Sequence, residues 1–445
     1  MGTWTGMQWR LAAAAGAMPG AFFIAPGLGW AQSPTGTAAP ISGADTAWVL
    51  LSSALVLAMI VPGLALFYGG LVRSKNVLGT IMQSFVILCL VSLLWVMGAY
   101  SLAFGPDVKG VIGGLEWIGL NGVGLTPNPT YAPTVPHEAF MVFQLMFAAI
   151  TPALITGAFA ERMKFSALLL FSALWSVFVY CPVAHWLWGG GWLAKLGALD
   201  FAGGAVVHIS SGVSALVCAV VLGQRQGYGS DYMAPHNLPM VLLGTGLLWF
   251  GWFGFNAGSA LGANETAVVA FVATHTAAAA AAMSWMAVEW WHRGTPTVLG
   301  LASGAIAGLA TITPGAGYMN PMSALAVGLI AGGLSYLAIM RKGKFGYDDS
   351  LDVVGIHGVA GVAGILLTGM LASKSVNPAG ADGLFSGGGA FFIAQAATVI
   401  VVGAFSAVGT LVILKVTNRL VGLRVTPDEE RMGLDISQHN ERAYS

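Results

Sequence analysis

Three histidines, His208, His275 and His357, lie well inside long apolar stretches of this sequence. An ionisable side chain within a membrane is costly and usually faces a cavity or a polar partner. His208 follows the segment that begins at Asp200, and His357 follows the segment that begins at Asp352, so each comes after an acid and small residues. Two neighbouring imidazoles can share a proton, because each ring nitrogen can donate or accept a hydrogen bond. We therefore predict that His208 and His357 line a narrow lumen, whereas His275 has no counterpart and is expected to be an ordinary packed side chain.

The same histidines could instead hold a metal ion. Zinc takes three or four N, S or O ligands, but the sequence has no H-E-x-x-H motif, and its three cysteines, Cys89, Cys181 and Cys218, are far apart. Asp200 and Asp352 are expected at opposite membrane faces. We therefore predict no metal site, disulfide or cofactor, and an intramembrane zinc hydrolase is a disfavoured alternative. Asp200 could cap its helix, since Asp is a favoured N-cap, or draw cations towards the lumen.

Aromatic side chains form the second group that could do chemistry. Phe143 and Phe147 are four residues apart and therefore share a helix face. Trp188 follows the fourth apolar stretch, and the segment from Trp252 to Ser259 ends the sixth. Most tryptophans of a membrane protein belong to interfacial belts. An aromatic cage that attracts a small cation is the functional alternative, and composition alone favours the belt.

The composition predicts that a helical membrane bundle positions these residues. The sequence is 56% hydrophobic and 8% charged, whereas soluble domains carry about a quarter charged residues. The apolar stretches lack the two-residue alternation of barrel strands, so the spanning elements must be helices. Eleven stretches approach the length of about 20 residues that a span needs: 47–70, 77–104, 139–160, 165–185, 201–223, 241–261, 266–291, 297–313, 321–340, 352–371 and 391–416. The formal net charge of zero argues against a nucleic-acid partner.

Loop charges and the N-terminal segment predict the same orientation. Residues 1–31 have the pattern of a cleaved signal peptide, with a basic residue, an apolar run and small residues at the end. Cleavage would leave the mature N-terminus outside. The loops then assigned to the inside carry nine Lys and Arg residues and the outer loops three, in agreement with the positive-inside rule. The predicted membrane domain covers 45–417, and the charged tail, 418–445, is expected in the cytoplasm.

A weak internal repeat links the fifth and tenth stretches, which are five spans apart. Two halves of five spans must enter the membrane from opposite sides, which predicts an inverted repeat with a site at its interface. The spacing from acid to histidine differs, at eight residues from Asp200 to His208 and five from Asp352 to His357.

Several segments, in one order along the chain, resemble the ammonium transporter (Amt) family, which is related to the Rhesus glycoproteins. The matching segments are ALFYGGL (65–71), RSKNV (73–77), AER (160–162), ALDFAGG (198–204), VVHI (206–209), PHNLP (235–239), GWFGFNAGS (251–259), GIHG (355–358) and VGLRV (421–425). The resemblance covers about residues 45–444 without large gaps, which makes it highly specific.

The resemblance implies an all-α membrane fold of eleven spans with two inverted five-helix repeats. It implies a homotrimer with one pore per subunit, located in the cell inner membrane. It also implies that Phe147, Trp188 and Ser259 form an outer ammonium-recruitment site with Phe143 nearby. Phe147 and Phe255 would stack as a gate below that site.

The resemblance further makes His208 and His357 the paired pore histidines. It also implies that transport needs Asp200, either for deprotonation of ammonium or as structural support. These positions match the family by residue type, whereas Leu145 and Met146, beside Phe147, are bulkier than the family pattern.

The expected function is therefore ammonium transport rather than enzymatic catalysis, with ammonium or ammonia as the permeant and methylammonium as a surrogate. The histidine pair could pass neutral ammonia alone or relay the proton separately, and both mechanisms stay open. An ammonium sensor is the alternative, and such a sensor would be expected to carry an additional output domain. In the tail, Arg424 and the segments 428–431 and 433–435 are implied contacts between subunits, and a cytoplasmic PII-type protein is an implied regulatory partner.

Overall fold

The computed structural model describes residues 40–444. Within that range, eleven helices are long and apolar enough to cross a membrane. In chain order they are α1 Gly43–Leu71, α2 Ser74–Phe104, α3 His137–Phe159, α4 Phe165–Lys195, α5 Gly204–Leu222, α6 Leu238–Gly258, α7 Glu265–Arg293, α8 Val298–Gly315, α9 Pro321–Phe345, α10 Val354–Leu371 and α11 Gly389–Val421. Two short helices follow, α12 Pro427–Met432 and α13 Leu434–His439. The eleven predicted spans are confirmed, and the predicted signal peptide, 1–31, lies outside the described residues.

Several helices begin at a polar residue that satisfies the first free backbone N–H groups. The Asn237, Asn264 and Asn320 side chains accept hydrogen bonds at the starts of α6, α7 and α9, and Thr297 does so at α8. Such caps matter at membrane boundaries because the terminal N–H groups have no partner within the helix. These caps fix where the second half of the bundle enters the apolar layer.

The loop between α2 and α3 carries four short strands. The strand β1 (Asp107–Val108) pairs antiparallel with β2 (Ile112–Gly113), and β3 (Pro127–Asn128) pairs antiparallel with β4 (Ala132–Pro136). The carboxylate of Asp107 contacts Nε2 of His185 at 2.9 Å, which ties this loop to the end of α4. The loop therefore folds over the end of the bundle that carries Trp188.

Glycine allows α5 and α10 to cross in close contact. Each helix opens with a π-helical turn, Gly204–Ile209 in α5 and Val354–Val359 in α10. A Cβ atom on Gly212 would lie only 2.2 Å from Cα of Gly358. Small residues permit such close backbone approach between membrane helices. The crossing brings the two π-helical turns, one from each half of the repeat, against each other.

The C-terminal tail folds back on the end of the bundle that is opposite to Trp188. We call this end the tail end. The carboxylate of Asp435 accepts hydrogen bonds from the backbone N–H groups of Leu78 and Gly79 at 3.1 and 2.8 Å. The Val425 N–H donates to the Arg162 carbonyl at 3.1 Å. The tail is thus bonded to the start of α2 and to the connection between α3 and α4.

Replacing Gly212 with alanine should destabilise the protein, because the added methyl group has no space at the crossing. Overpacking of this kind costs about 1–3 kcal/mol, which should lower the Tm of the purified protein in detergent. Gly246→Ala in α6 is the matched control, since a Cβ atom there meets nothing within 4 Å. Equal Tm values for the two variants would contradict the close crossing of α5 and α10.

Candidate functional site

His208 and His357 meet at the crossing of α5 and α10. Their Nδ1 atoms are 3.3 Å apart, and the ring centroids are 5.2 Å apart with an interplanar angle of 17°. Both side chains are buried. A hydrogen bond between two Nδ1 atoms requires that one ring carries its proton there and the other does not. The pair therefore has two distinguishable tautomeric arrangements. Nε2 of His208 is buried and has no hydrogen-bond partner within residues 40–444.

A row of aromatic rings connects this pair to the surface. Trp188 packs edge-on to Phe147, with ring centroids 5.6 Å apart. Phe147 contacts Phe255 at 4.4 Å and an interplanar angle of 34°. Phe255 stacks against His208 at 6.1 Å. Phe147 and Phe255 are both buried, so together they separate the histidines from the Trp188 end of the bundle.

An open cavity lies above this aromatic row, and we call it the vestibule. Its walls are formed by Phe104, Thr130, Tyr131, Phe140, Gln144, Phe147, Leu187, Trp188, Phe201, Ser259 and Leu261. The predicted residues Phe147, Trp188 and Ser259 therefore come together around one space. The Ser259 hydroxyl donates to the Phe255 carbonyl at 2.8 Å, which leaves its oxygen lone pairs free to accept a hydrogen bond from a ligand.

Phe143 lies behind the vestibule rather than in its wall. Its ring is fully buried and packs edge-on against Phe147, with centroids 5.0 Å apart. The lining residues on α3 are Phe140, Gln144 and Phe147, which follow an i, i+4, i+7 pattern. That spacing defines one helix face, so it is the sequence signal that could have identified Phe140 and Gln144.

Asp200 holds the start of α5. Its Oδ1 accepts hydrogen bonds from the backbone N–H groups of Gly203 and Gly204 at 2.9 and 2.6 Å, and its Oδ2 from those of Ala205 and Val206 at 2.8 and 3.0 Å. One carboxylate thus satisfies four N–H groups that have no partner within the helix. Burial raises the pKa of Asp200, while the four donors act in the opposite direction. Asp200 is a buried cap that fixes the turn carrying His208, and it does not line the vestibule.

Asp349 takes the corresponding place in the other half of the bundle. Its Oδ2 accepts a hydrogen bond from the backbone N–H of Val354 at 2.7 Å, and burial raises the pKa of Asp349 to about 6. It precedes His357 by eight residues, the same spacing as in the first half. The internal repeat in the sequence matched Asp352 with Asp200. In the structure, Asp352 instead forms an ion pair with Lys342 at the tail end of the bundle. The repeat is therefore more regular than the sequence pattern indicated.

His275 lies apart from this path. It is an exposed residue of α7, and its ring lies 5.4 Å from that of Trp249 and 6.3 Å from that of Phe253. The prediction that it is packed inside the protein is wrong for the single chain, because its helix face points away from the bundle.

Eleven apolar helices around a row of aromatic and histidine rings define a multi-pass membrane transport protein. The comparison with known sequences identifies the family of transport proteins, because the sequence model of the Ammonium Transporter Family matches residues 47–444. The chain belongs to this family, and ammonium transport is the activity that the family carries.

Individual relatives agree over almost the whole chain. The ammonium transporter of Bacillus subtilis is 52% identical over 401 residues, which cover 90% of this chain and 98% of the relative. Ammonium transporter Amt1 of Archaeoglobus fulgidus is 48% identical, over 91% of this chain and all of the relative. Among solved structures, Saccharomyces cerevisiae Mep2 superposes with a TM-score of 0.82 at 36% identity, over 87% of this chain and 88% of that one. A structure described as a sensor Amt protein gives a TM-score of 0.81 at 31% identity, over 89% and 98% of the two chains.

Asp200→Asn should lower the stability of the protein. Asparagine supplies one oxygen, and its NH₂ group would face two of the four backbone N–H groups that Asp200 now satisfies. Each buried donor without an acceptor costs about 1–3 kcal/mol, so we expect a loss of about 2 kcal/mol or more, seen as a lower Tm in detergent. Asp428→Asn, in the first turn of α12 and with a side chain that is 92% exposed, should leave the Tm unchanged. A Tm equal to that of wild type for Asp200→Asn would rule out the capping role.

Proposed function

We propose that this chain recruits ammonium from outside the cell in the vestibule, removes its proton, and passes ammonia along an apolar path between His208 and His357. In this proposal Phe147, Trp188 and Ser259 bind the cation, and Phe143 supports Phe147 from behind. The observation that supports it most strongly is the unbroken row of rings from Trp188 through Phe147 and Phe255 to the histidine pair.

The physical chemistry of ammonium explains why such a path is needed. Ammonium resembles the Lys head group, whose pKa is about 10, so nearly all of it is charged at neutral pH. Carrying that charge through an apolar layer costs several kcal/mol. The faces of Trp188 and Phe147 can offset part of the dehydration by cation–π attraction, and the Ser259 oxygen can accept one N–H. Deprotonation then removes most of the remaining cost before the molecule passes the Phe147–Phe255 pair.

The two aromatic rings of Phe147 and Phe255 act as a gate in this proposal. At a centroid separation of 4.4 Å they leave no open channel between them, so a permeant molecule must displace one ring. Asp200 contributes indirectly, because it holds the turn that carries His208. The proton either returns to the outside, which gives neutral ammonia conduction, or crosses by way of the histidine pair, which gives net ammonium transport.

The charges of the loops support one orientation of the chain in the membrane. The loops at the tail end carry most of the Lys and Arg residues, and basic loops remain in the cytoplasm. We therefore propose that the vestibule faces outward and the tail faces the cytoplasm, in the cell inner membrane. Residues 1–31 would then act as a signal peptide that is removed.

A sensor is the second candidate function, because a solved sensor Amt protein shares the fold of this chain at 31% identity. A sensor would bind ammonium in the vestibule but conduct little. Flux through the protein therefore distinguishes the two candidates.

Cells that lack their own ammonium carriers should take up labelled methylammonium when they express this protein, and His208→Ala should reduce that uptake by about fivefold or more. Truncation leaves the His357 ring in the apolar path without its partner, a change that costs about 1–3 kcal/mol for an unpaired polar group. His292→Ala, at the far end of α7 and in contact with Tyr336, is the control and should transport normally. Reconstituted protein then reports the mechanism: an ammonium-dependent current indicates net ammonium transport, and uptake without current indicates ammonia conduction. Wild-type uptake no greater than background would defeat the proposal.

The assembly is proposed to be a homotrimer that binds a PII-type protein through its cytoplasmic face. The exposed imidazole of His275 supports the trimer, because an ionisable group on a lipid-facing surface is costly and a second subunit would cover it. The ordered tail, with Arg424 paired to buried Glu430 at 2.8 Å, supports a defined docking surface for a regulator.

Light scattering of the purified protein, corrected for detergent, should give about three times the mass of one chain. Addition of a PII-type protein should increase that mass by one PII trimer under conditions that favour binding. A mass of one chain would exclude the trimer, and no increase under either nitrogen-rich or nitrogen-poor ligand conditions would exclude the regulator.

A further inference from the structure

His185 lies near the end of α4, three residues before Trp188, and its side chain is fully buried. Its Nδ1 atom is 3.0 Å from the backbone carbonyl oxygen of Ala103, and its Nε2 atom is 2.9 Å from Oδ1 of Asp107. A carbonyl oxygen and an ionised carboxylate can only accept hydrogen bonds. Both ring nitrogens must therefore donate, and only the doubly protonated imidazolium can do so.

The surroundings of Asp107 favour its ionised form. The backbone N–H of Gly110 donates to Oδ1 at 2.7 Å, and Nζ of Lys195 donates to Oδ2 at 2.6 Å. The hydrogen bonds from His185 and Lys195 lower the pKa of the Asp107 carboxyl to about 2. A buried charge is costly unless it is paired and hydrogen-bonded. With Asp107 as its counter-ion and both N–H groups bonded, an imidazolium at His185 meets both conditions.

The other histidines of the chain have contacts that do not require a charge. His236 contacts the carbonyl of Val72 and the hydroxyl of Tyr444, and a hydroxyl can donate as well as accept, so a neutral ring satisfies both contacts. The remaining six contact a tyrosine hydroxyl or another histidine, or make no side-chain hydrogen bond to residues 40–444. In this part of the chain, His185 is the one histidine whose two nitrogens both face acceptors.

The two bonds of His185 join the end of α4 to the end of α2 and to β1. Ala103 directly precedes Phe104, which lines the vestibule. The turn that follows Trp188 packs on the first of these bonds. A Cβ atom on Gly189 would lie only 2.2 Å from the Ala103 oxygen and 2.5 Å from Nδ1 of His185. A displacement of the imidazole would therefore move the backbone next to Trp188.

We propose that His185 is held as an imidazolium and is a positioning residue for ammonium binding, because it sets the ring of Trp188 against Phe147 in the vestibule. This inference rests on the proposed function. The attraction between a cation and an aromatic face requires the cation within about 6 Å of the ring centroid, so a displaced Trp188 binds the ion less tightly. His185 acts on the binding site rather than on the path below it, and its loss should change the affinity more than the maximal rate.

Nuclear magnetic resonance measures the charge of the ring directly, in full-length protein isotopically labelled at the histidine nitrogens. The signals that disappear in His185→Gln at neutral pH should be those of a ring with both nitrogens protonated. If that variant does not fold, Asp107→Asn gives the assignment, because it alters the signals of the ring bonded to it. A neutral ring, with one protonated and one unprotonated nitrogen, would overturn the imidazolium.

Methylammonium uptake tests the positioning role. His185→Gln removes the charge and one donor, and it should raise the half-saturation concentration about fivefold, within the energy of one cation–π contact, with little change in maximal uptake. Asp107→Asn keeps the ring but removes its counter-charge, and it should change the half-saturation concentration in the same direction. Lys195→Met removes the other partner of the same carboxylate. Its side chain is 60% exposed, and exposed ion pairs contribute little, so this matched control should behave as wild type.

The outcomes separate this inference from the proposed function. Wild-type protein without uptake would defeat the proposed function and the positioning role with it, whereas the resonance experiment would still report the charge of His185. If wild type transports and both His185→Gln and Asp107→Asn keep its half-saturation concentration, only the positioning role is overturned. A fall in maximal uptake at an unchanged half-saturation concentration, in proportion to the amount of folded protein, would also overturn it and leave His185 a structural residue.

Discussion

A polar group inside a bilayer has to find its partner within the protein, and the contact between His208 and His357 is where this chain meets that constraint. Each imidazole sits in a π-helical turn at the start of its helix, and its Nδ1 atom contacts that of the other imidazole at 3.3 Å. Neither half of the bundle can satisfy its histidine alone. The histidine pair therefore exists only at the interface between the two halves of the inverted repeat.

That contact determines much of the surrounding architecture. Two helices can place their histidines 3.3 Å apart only if their backbones approach closely, which requires glycine at Gly212, where a Cβ atom would lie 2.2 Å from Cα of Gly358. A π-helical turn also leaves N–H groups at the helix start without partners. Asp200 satisfies four of them in one half, and Asp349 accepts at least one in the other. The two carboxylates thus fix the turns on which the imidazoles are carried.

The sequence predicted the fold well, because membrane spans are identified by length and apolarity, which are local properties. It also predicted the group formed by Phe147, Trp188 and Ser259, although only through resemblance to a family. Composition alone favoured an interfacial belt for such aromatics, since nothing local in Trp188 indicates that it contacts Phe147 from another helix. The sequence repeat paired Asp200 with Asp352, whereas the structure pairs it with Asp349. The repeat was recognised from its small residues, which do not indicate which acid caps the helix. The position of His275 on an outward face was missed because periodicity does not specify which side of a long helix faces its neighbours.

In the proposed function, the vestibule and the histidine pair place opposite demands on the same ligand. The vestibule would have to recognise a cation, for which aromatic faces and a hydroxyl oxygen are suited, while the path below Phe147 and Phe255 would have to exclude charge. A site that held the cation too strongly would prevent its deprotonation and entry. The acceptor available there, the Ser259 hydroxyl, is neutral, and the carboxylate of Asp200 is engaged by four backbone donors. Binding by several weak neutral contacts is therefore consistent with a ligand that must lose its charge a few ångströms further along.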